Sequence, residues 1–217
     1  MGGKANLHQG LPLLQAGAPL AEAKAVLIML HGRGAGAEDI IDLRHELDAP
    51  DVALLAPQAA NATWYPNRFI APVASNEPWL TSALTVVDDL VQRALQAGIA
   101  ASHILLLGFS QGGCLALETA ARTPRRYGAV VGLSAALIEN GDQPRSYGGT
   151  LDGVPVLLGC SDIDFHIPLA RVDRTAALLA GLGADVDKRI YPGMGHTVNR
   201  DELQAIQGLL SRLGASA

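Results

Sequence analysis

Short apolar runs, separated by stretches with helical spacing, limit the folds that this chain can adopt. Residues 25–31 read AVLIMLH, and a run that is apolar at successive positions is typical of a parallel strand buried on both faces. Five further stretches are also predicted to be strands, at 51–57, 103–109, 128–134, 154–160 and 185–192. Candidate helices lie between them, at 37–47, 78–97, 112–121, 169–182 and 201–213. This alternation predicts an α/β fold with a mostly parallel central sheet and helices on both faces.

The whole chain, residues 1–217, is expected to form one domain, because no linker rich in Pro, Gly and Ser divides it. Hydrophobic residues make up 49% of it and charged residues 17%, which favours a compact fold over disorder. The net charge is −5 and no run of Lys or Arg occurs, so we expect no nucleic-acid partner. The first residues do not resemble a signal peptide and the apolar runs are short, so we expect a cytoplasmic protein without a stable membrane anchor.

The two cysteines, Cys114 and Cys160, are expected to be buried thiols rather than a disulfide framework. Neither belongs to a pattern with metal-ligand spacing, so the sequence predicts no metal site. The 61–78 segment (NATWYPNRFIAPVASNEP) stands apart, because it has three prolines, three aromatic residues and no clear period. Long irregular loops in compact domains are usually functional or mobile, so this segment is a candidate wall of a binding site.

The stretch 108–112 (GFSQG) places a serine between two glycines, directly after one predicted strand and directly before a predicted helix. A strand-to-helix turn this tight exposes the Ser110 hydroxyl at the carboxyl end of the strand, and the glycines leave room for the chain to approach itself. The N-terminus of the following helix stabilises negative charge beside it. In this context we interpret Ser110 as a nucleophile rather than as part of a purely structural glycine turn.

A serine nucleophile needs a general base and an acid that orients the base, in the chain order Ser, acid, His for this architecture. Two histidines follow the serine, and His196, in the loop after the last predicted strand, is the better candidate base. His166 is expected to be a pocket wall or a solvated loop residue. Asp162 and Asp164 compete for the acid position, and Asp164 is favoured because it lies four residues before Pro168, a candidate helix start.

Acyl transfer also needs hydrogen-bond donors for the oxyanion, and one is expected to be the backbone N–H of Gln111, directly after the nucleophile. The loop after the first predicted strand reads HGRGAGAED, and the backbone N–H of Arg33 is the candidate second donor. A phosphate-binding loop is the competing interpretation. It is disfavoured because the stretch lacks the complete G-x-G-x-x-G pattern and the Walker lysine.

These residues, taken together and in this order, resemble the phospholipase/carboxylesterase group of α/β-hydrolases, which includes bacterial carboxylesterases and acyl-protein thioesterases. The resemblance extends over residues 26–210 and rests on the stretches LHGRG, APQ…WY, GFSQGG, LSA, SDIDFHIP and YPGMGH. It implies an α/β-hydrolase fold, with Ser110 as nucleophile, Asp164 as orienting acid and His196 as base. It also implies that Arg33 and Gln111 occupy the oxyanion positions.

The sequence departs from the group's usual pattern near the expected acyl pocket. Phe165 stands where the group usually has proline, Ser161 where glycine is common, and LSA where LSG is common. We therefore expect Phe165 and His166 to make the pocket narrower or more polar. The other predicted pocket residues, each of which could equally be a core residue, are Trp64, Tyr65, Phe69 and Met194.

The resemblance implies a serine hydrolase that cleaves carboxylic esters, with short-to-medium acyl esters as small-molecule substrates and lysophospholipids or thioesters as further candidates. No metal or organic cofactor is expected. One alternative is a dienelactone-type lactone hydrolase, which would normally carry cysteine at the position of Ser110. The other is a non-catalytic binding protein, which would typically lack one member of the triad. The sequence is silent on assembly, and because open esterases of this size are often dimers, a homodimer is one expectation.

Overall fold

The computed structural model describes residues 6–141 and 143–214. Within these ranges, seven strands form one sheet in the order β1-β3-β2-β4-β5-β6-β7. The strands are β1 Leu13–Gly17, β2 Ala25–Leu30, β3 Val52–Pro57, β4 Ile104–Phe109, β5 Ala129–Leu133, β6 Pro155–Ser161 and β7 Asp185–Tyr191. The strands β2 to β7 pair in parallel, as the sequence predicts, and β1 pairs antiparallel with β3.

The edge strand β1 is the one strand that the sequence pattern did not predict. Its five residues read LLQAG, and none of them is fully buried, so the run has neither the length nor the continuous apolar character of the inner strands. Main-chain pairing with β3, from Leu13 opposite Pro57 to Gly17 opposite Ala53, holds it in place. A partly exposed edge strand therefore depends on its neighbour more than on its own composition.

The helices are α1 Ala37–Ile41, α2 Trp79–Gln96, α3 Gln111–Arg122, α4 Leu169–Gly181 and α5 Arg200–Gly214. Four of the predicted helices are confirmed within two residues at each end. The predicted helix at 37–47 is wrong in its second half, where residues Asp42–Glu46 form a 3₁₀ turn. The first part buries Ala37, Ile40 and Ile41, whereas the turn buries none of its residues, so no packing holds it in the α conformation.

The core consists of two apolar layers, one on each face of the sheet. Along β2, Val26, Ile28 and Leu30 pack with α2, α3 and α4, whereas Ala25, Leu27 and Met29 pack with α1 and α5. Every residue of β2 is buried, because the period-2 alternation of the strand sends its side chains into both layers. Each fully buried Leu or Ile side chain contributes about 1.5–3 kcal/mol relative to an exposed one.

The carboxyl ends of the parallel strands meet at one edge of this sheet, and the candidate site residues lie in the loops that leave it. Ser110 follows β4, Asp164 follows β6, His196 follows β7 and Arg33 follows β2. In open α/β sheets this edge is where ligands bind. Over the described part of the chain, no helix combines the length and the apolar character needed to cross a membrane.

Candidate active site

Ser110 is the single residue between β4, which ends at Phe109, and α3, which begins at Gln111. Its backbone angles are φ 53° and ψ −121°, a combination that costs a non-glycine residue about 1–3 kcal/mol. Two main-chain hydrogen bonds hold this conformation, because the Ser110 N–H donates to the Leu133 carbonyl at 2.9 Å and the Ser110 carbonyl accepts from Cys114 at 2.9 Å. The turn therefore presents the hydroxyl above the sheet edge.

Two glycines make this turn sterically possible. A Cβ on Gly108 would overlap the main chain of Gly112 and Gly113. A Cβ on Gly112 would overlap the carbonyl groups of Leu30 and His31 at the end of β2. Helix α3 thus lies directly on the backbone of the two central strands, and the spacing G-x-S-x-G in the sequence reflects this close approach.

A continuous line of hydrogen bonds joins the three predicted triad residues. His196 Nε2 lies 2.9 Å from Ser110 Oγ, and His196 Nδ1 lies 2.7 Å from Asp164 Oδ2. An ionised carboxylate only accepts hydrogen bonds, so Nδ1 carries a proton and the neutral ring leaves Nε2 free to accept one. The arrangement is that of a hydroxyl next to a base of the correct tautomer.

The Asp164 carboxylate is held in the charged state by its partners. Its side chain is fully buried, and burial by itself would raise the pKa. The hydrogen bond from His196, together with N–H donors of Ile167 and His166 at 3.0 and 2.8 Å, outweighs burial and lowers the pKa of Asp164. Since one carboxylate oxygen accepts both N–H groups, the other faces His196.

The competing acid and the second histidine lie elsewhere. Asp162 Oδ1 accepts the Gly193 N–H at 2.8 Å, so it holds the loop that carries His196 rather than the imidazole itself. His166 lies beside the His196 ring, with 4.7 Å between ring centroids, and lines the cavity. The structure therefore brings Asp164, and not Asp162, to the base.

The two predicted oxyanion donors border the same cavity as Ser110. Gln111 is the first residue of α3, so its N–H belongs to the helix end that lacks intrahelical acceptors. The Arg33 N–H is oriented through the buried His31 ring. The Ala59 N–H donates to His31 Nε2 at 3.1 Å, so the proton of the neutral ring lies on Nδ1, which donates to the Gly32 carbonyl at 2.8 Å. In a trans peptide the N–H points opposite to the C=O, so the Arg33 N–H points away from His31.

The side chains of Arg33 and Gln111 have a role that sequence reasoning missed. The Arg33 guanidinium donates to the main-chain carbonyls of residues 65, 66 and 67 at 2.8, 2.9 and 2.7 Å. The Gln111 amide accepts the Trp64 N–H at 2.9 Å and donates to the Tyr65 carbonyl at 2.7 Å. Both residues thus fasten the 61–78 segment over the site. No local sequence signal indicates this, because the acceptors are main-chain carbonyls.

The cavity beside Ser110 has a volume of about 270 Å³. Its lining residues are Gly32, Arg33, Ala35, Tyr65, Arg68, Phe69, Phe109, Ser110, Gln111, Cys114, His166, Ile167 and His196. Three of the predicted pocket residues, Tyr65, Phe69 and His166, are among them. The thiol of Cys114 is no competing nucleophile, because burial raises its pKa to about 12.

The pocket prediction is corrected at the other three positions. Trp64 is fully buried in the core, and its indole N–H donates to the His31 carbonyl at 2.9 Å. Phe165 is 89% exposed, because the turn closed by the Asp164 carboxylate directs it to solvent. Met194 packs against Asn199, whose amide donates to its sulfur at 3.1 Å. Phe109, Arg68 and Ile167 line the cavity instead.

The sheet order, the strained serine turn and the loops at the carboxyl edge define an α/β-hydrolase fold. A profile of the phospholipase/carboxylesterase family matches residues 15–213, so the chain belongs to that family. A solved phospholipase/carboxylesterase from Dyadobacter fermentans is 37% identical, with a TM-score of 0.90 over 96% of this chain and 100% of that one.

The chain is also similar to curated relatives named as an acyl-protein thioesterase and as a lysophospholipase-like protein. Acyl-protein thioesterase 1 from Gibberella zeae is 32% identical over 127 residues, which cover 57% of this chain and 54% of the relative. Lysophospholipase-like protein 1 from Mus musculus is 27% identical over 216 residues, which cover 90% of both chains. The chain spans about half the length of the fungal thioesterases that it matches.

Proposed function

We propose that the protein hydrolyses carboxylic esters with Ser110 as nucleophile, His196 as general base and Asp164 as the residue that orients the base. The observation that carries the proposal is the unbroken line of 2.7 and 2.9 Å hydrogen bonds from Asp164 through His196 to Ser110. This line ends at a hydroxyl that opens on a cavity, which is where a substrate carbonyl would approach. Membership of the phospholipase/carboxylesterase family supports the same reaction class.

The reaction proceeds through an acyl-enzyme. His196 Nε2 takes the Ser110 proton as Oγ attacks the ester carbonyl, and the imidazolium that forms is stabilised by Asp164. The N–H groups of Gln111 and Arg33 receive the oxyanion, and each such donor contributes about 2.7–4 kcal/mol to transition-state stabilisation. His196 then protonates the leaving alcohol or thiol, and water releases the acyl group by the same steps in reverse.

The cavity has a volume of about 270 Å³, which is close to the lower end of the range of about 300–1,000 Å³ that is typical of sites for drug-sized ligands. Tyr65, Phe69, Phe109 and Ile167 supply apolar walls, which suit a short-to-medium acyl chain. The names of the relatives make thioesters and lysophospholipids further candidates.

A panel of 4-nitrophenyl esters from acetate to octanoate, with matching thioesters, tests the proposal. Wild type is expected to release product with the highest kcat/KM at short or medium acyl length, and Ser110→Ala is expected to lower kcat by at least about 10³-fold. Ser102→Ala, at an exposed serine outside the site, is the matched control and should retain wild-type rates. Inert wild type, together with no organophosphate adduct on Ser110, would rule out the hydrolase and favour a binding protein.

A further inference from the structure

The charges that line the catalytic cavity are of one sign. Arg33 and Arg68 contribute the charged groups of its wall, and within the described residues no Asp or Glu lines it. The protein as a whole has a net charge of −5, so this positive lining is a local feature and not a consequence of composition. A positive, partly enclosed wall attracts anionic ligands.

Of the two arginines, Arg68 is the one whose guanidinium is available to a ligand. Arg33 already donates to three carbonyls at 2.7–2.9 Å. Arg68 is exposed, and its side chain makes one long contact, 3.4 Å, to the His166 carbonyl. Neither arginine forms a salt bridge with a described residue. Most of the five donors of Arg68 therefore remain for a substrate group.

The main chain around Arg68 is fixed although its head group is free. The Asn67 N–H donates to the buried Asn76 side chain at 2.8 Å, and the Arg68 carbonyl accepts the Ala71 N–H at 3.0 Å. The next residue, Phe69, is buried in the core, and its carbonyl accepts the Glu139 N–H at 2.8 Å. The guanidinium thus starts from an anchored position at the cavity wall, which lowers the entropic cost of binding.

The neighbouring carboxylates do not compete for Arg68. Glu139, whose main chain contacts Phe69, forms ion pairs with Arg171 and Arg174. Asp164 is buried and accepts hydrogen bonds from His196, from two N–H groups and from the Cys160 thiol. An anion brought by the substrate would therefore be the first carboxylate to meet Arg68.

We propose that this site prefers esters that carry a carboxylate within reach of Arg68, on either the acyl or the alcohol part. This proposal rests on the esterase function proposed above. One uncommitted guanidinium matches one carboxylate in charge and in its bidentate geometry. Neutral esters remain substrates, because the guanidinium of the exposed Arg68 stays hydrated when no anion is bound and leaving it unpaired costs little binding free energy.

Two matched substrate pairs and one substitution test the proposal. Mono-4-nitrophenyl adipate against its methyl ester places the charge on the acyl part, and 4-acetoxybenzoate against its methyl ester places the charge on the alcohol part. Wild type is expected to prefer the anionic member of at least one pair by about fivefold in kcat/KM, mainly through KM, because exposed ion pairs are weak. Added salt should reduce that preference.

Arg68→Met is expected to abolish the preference, measured within each pair as the ratio of kcat/KM for the anionic ester to kcat/KM for its neutral methyl ester. Arg93→Met, at an exposed arginine of α2 outside the cavity, is the matched control and should keep it. If Arg68→Met leaves the ratio unchanged in both pairs while neutral esters are cleaved, the carboxylate preference is refuted and the esterase function stands. If Ser110 variants and wild type cleave nothing, the esterase function itself fails.

Discussion

Glu202 connects the loop of His196 to the stability of the protein. It lies in the first turn of α5 and is fully buried. Its Oε2 accepts the Asn199 N–H at 2.8 Å while its own N–H donates to the Asn199 side chain at 3.0 Å, which is a reciprocal capping arrangement. Its Oε1 is buried against Gly159 of β6 and has no hydrogen-bond partner among the described residues. Burial raises the pKa of this carboxyl from 4.5 to about 7.

The raised pKa makes the stability of the protein depend on pH. Because the folded state holds the proton more tightly than the unfolded state, the contribution of Glu202 is fully present below about pH 4.5 and is lost as the pH rises through about 7. One pKa unit corresponds to about 1.4 kcal/mol, so the loss between pH 5 and pH 8 is about 2–3 kcal/mol. Glu202→Gln keeps the acceptor for Asn199 but carries no charge, so it does not incur this loss.

We therefore expect the free energy of unfolding of Glu202→Gln to rise relative to wild type by about 2–3 kcal/mol between pH 5 and pH 8. Urea denaturation followed by tryptophan fluorescence, at four pH values over this range, measures the difference. Any pH-independent cost of placing an amide against Gly159 cancels in that comparison. Glu22→Gln, at an exposed position, is the control and should follow the wild-type curve. Parallel pH profiles for Glu202→Gln and wild type would refute the reasoning.

Two further outcomes follow from the geometry. Gly112→Ala should destabilise the protein by about 3 kcal/mol, because the added Cβ would overlap the carbonyl groups at the end of β2. Gly208→Ala has open space around the added Cβ and should stabilise α5 by up to about 1 kcal/mol. Urea denaturation measures both, and equal changes in the free energy of unfolding of the two variants would contradict the prediction. Asp164→Asn should lower kcat by about 10⁴-fold. The amide oxygen of the asparagine must keep accepting the two N–H groups, so its NH₂ faces His196 and forces the imidazole proton onto Nε2. Retention of a tenth of wild-type kcat would contradict it.

The sequence by itself determined the features that depend on neighbours along the chain. The inner strands were predictable because burial on both faces demands a continuous apolar run, as in AVLIML of β2. The serine turn was predictable because its two glycines, one strand and one helix lie within a single stretch. The order of Ser110, Asp164 and His196 followed from the architecture, and the folded chain brings these three side chains together.

Only the tertiary structure decided the features that depend on residues far apart in the chain. The edge strand β1 exists through its pairing with β3, which its own five residues do not signal. Arg33 and Gln111 fasten the 61–78 segment through main-chain carbonyls, which any sequence would offer. Phe165 was predicted from the sequence to line the pocket but points to solvent, whereas Arg68, which was not predicted, lines the cavity. The direction of a loop side chain depends on the long-range contacts of its turn, and these are not written in local composition.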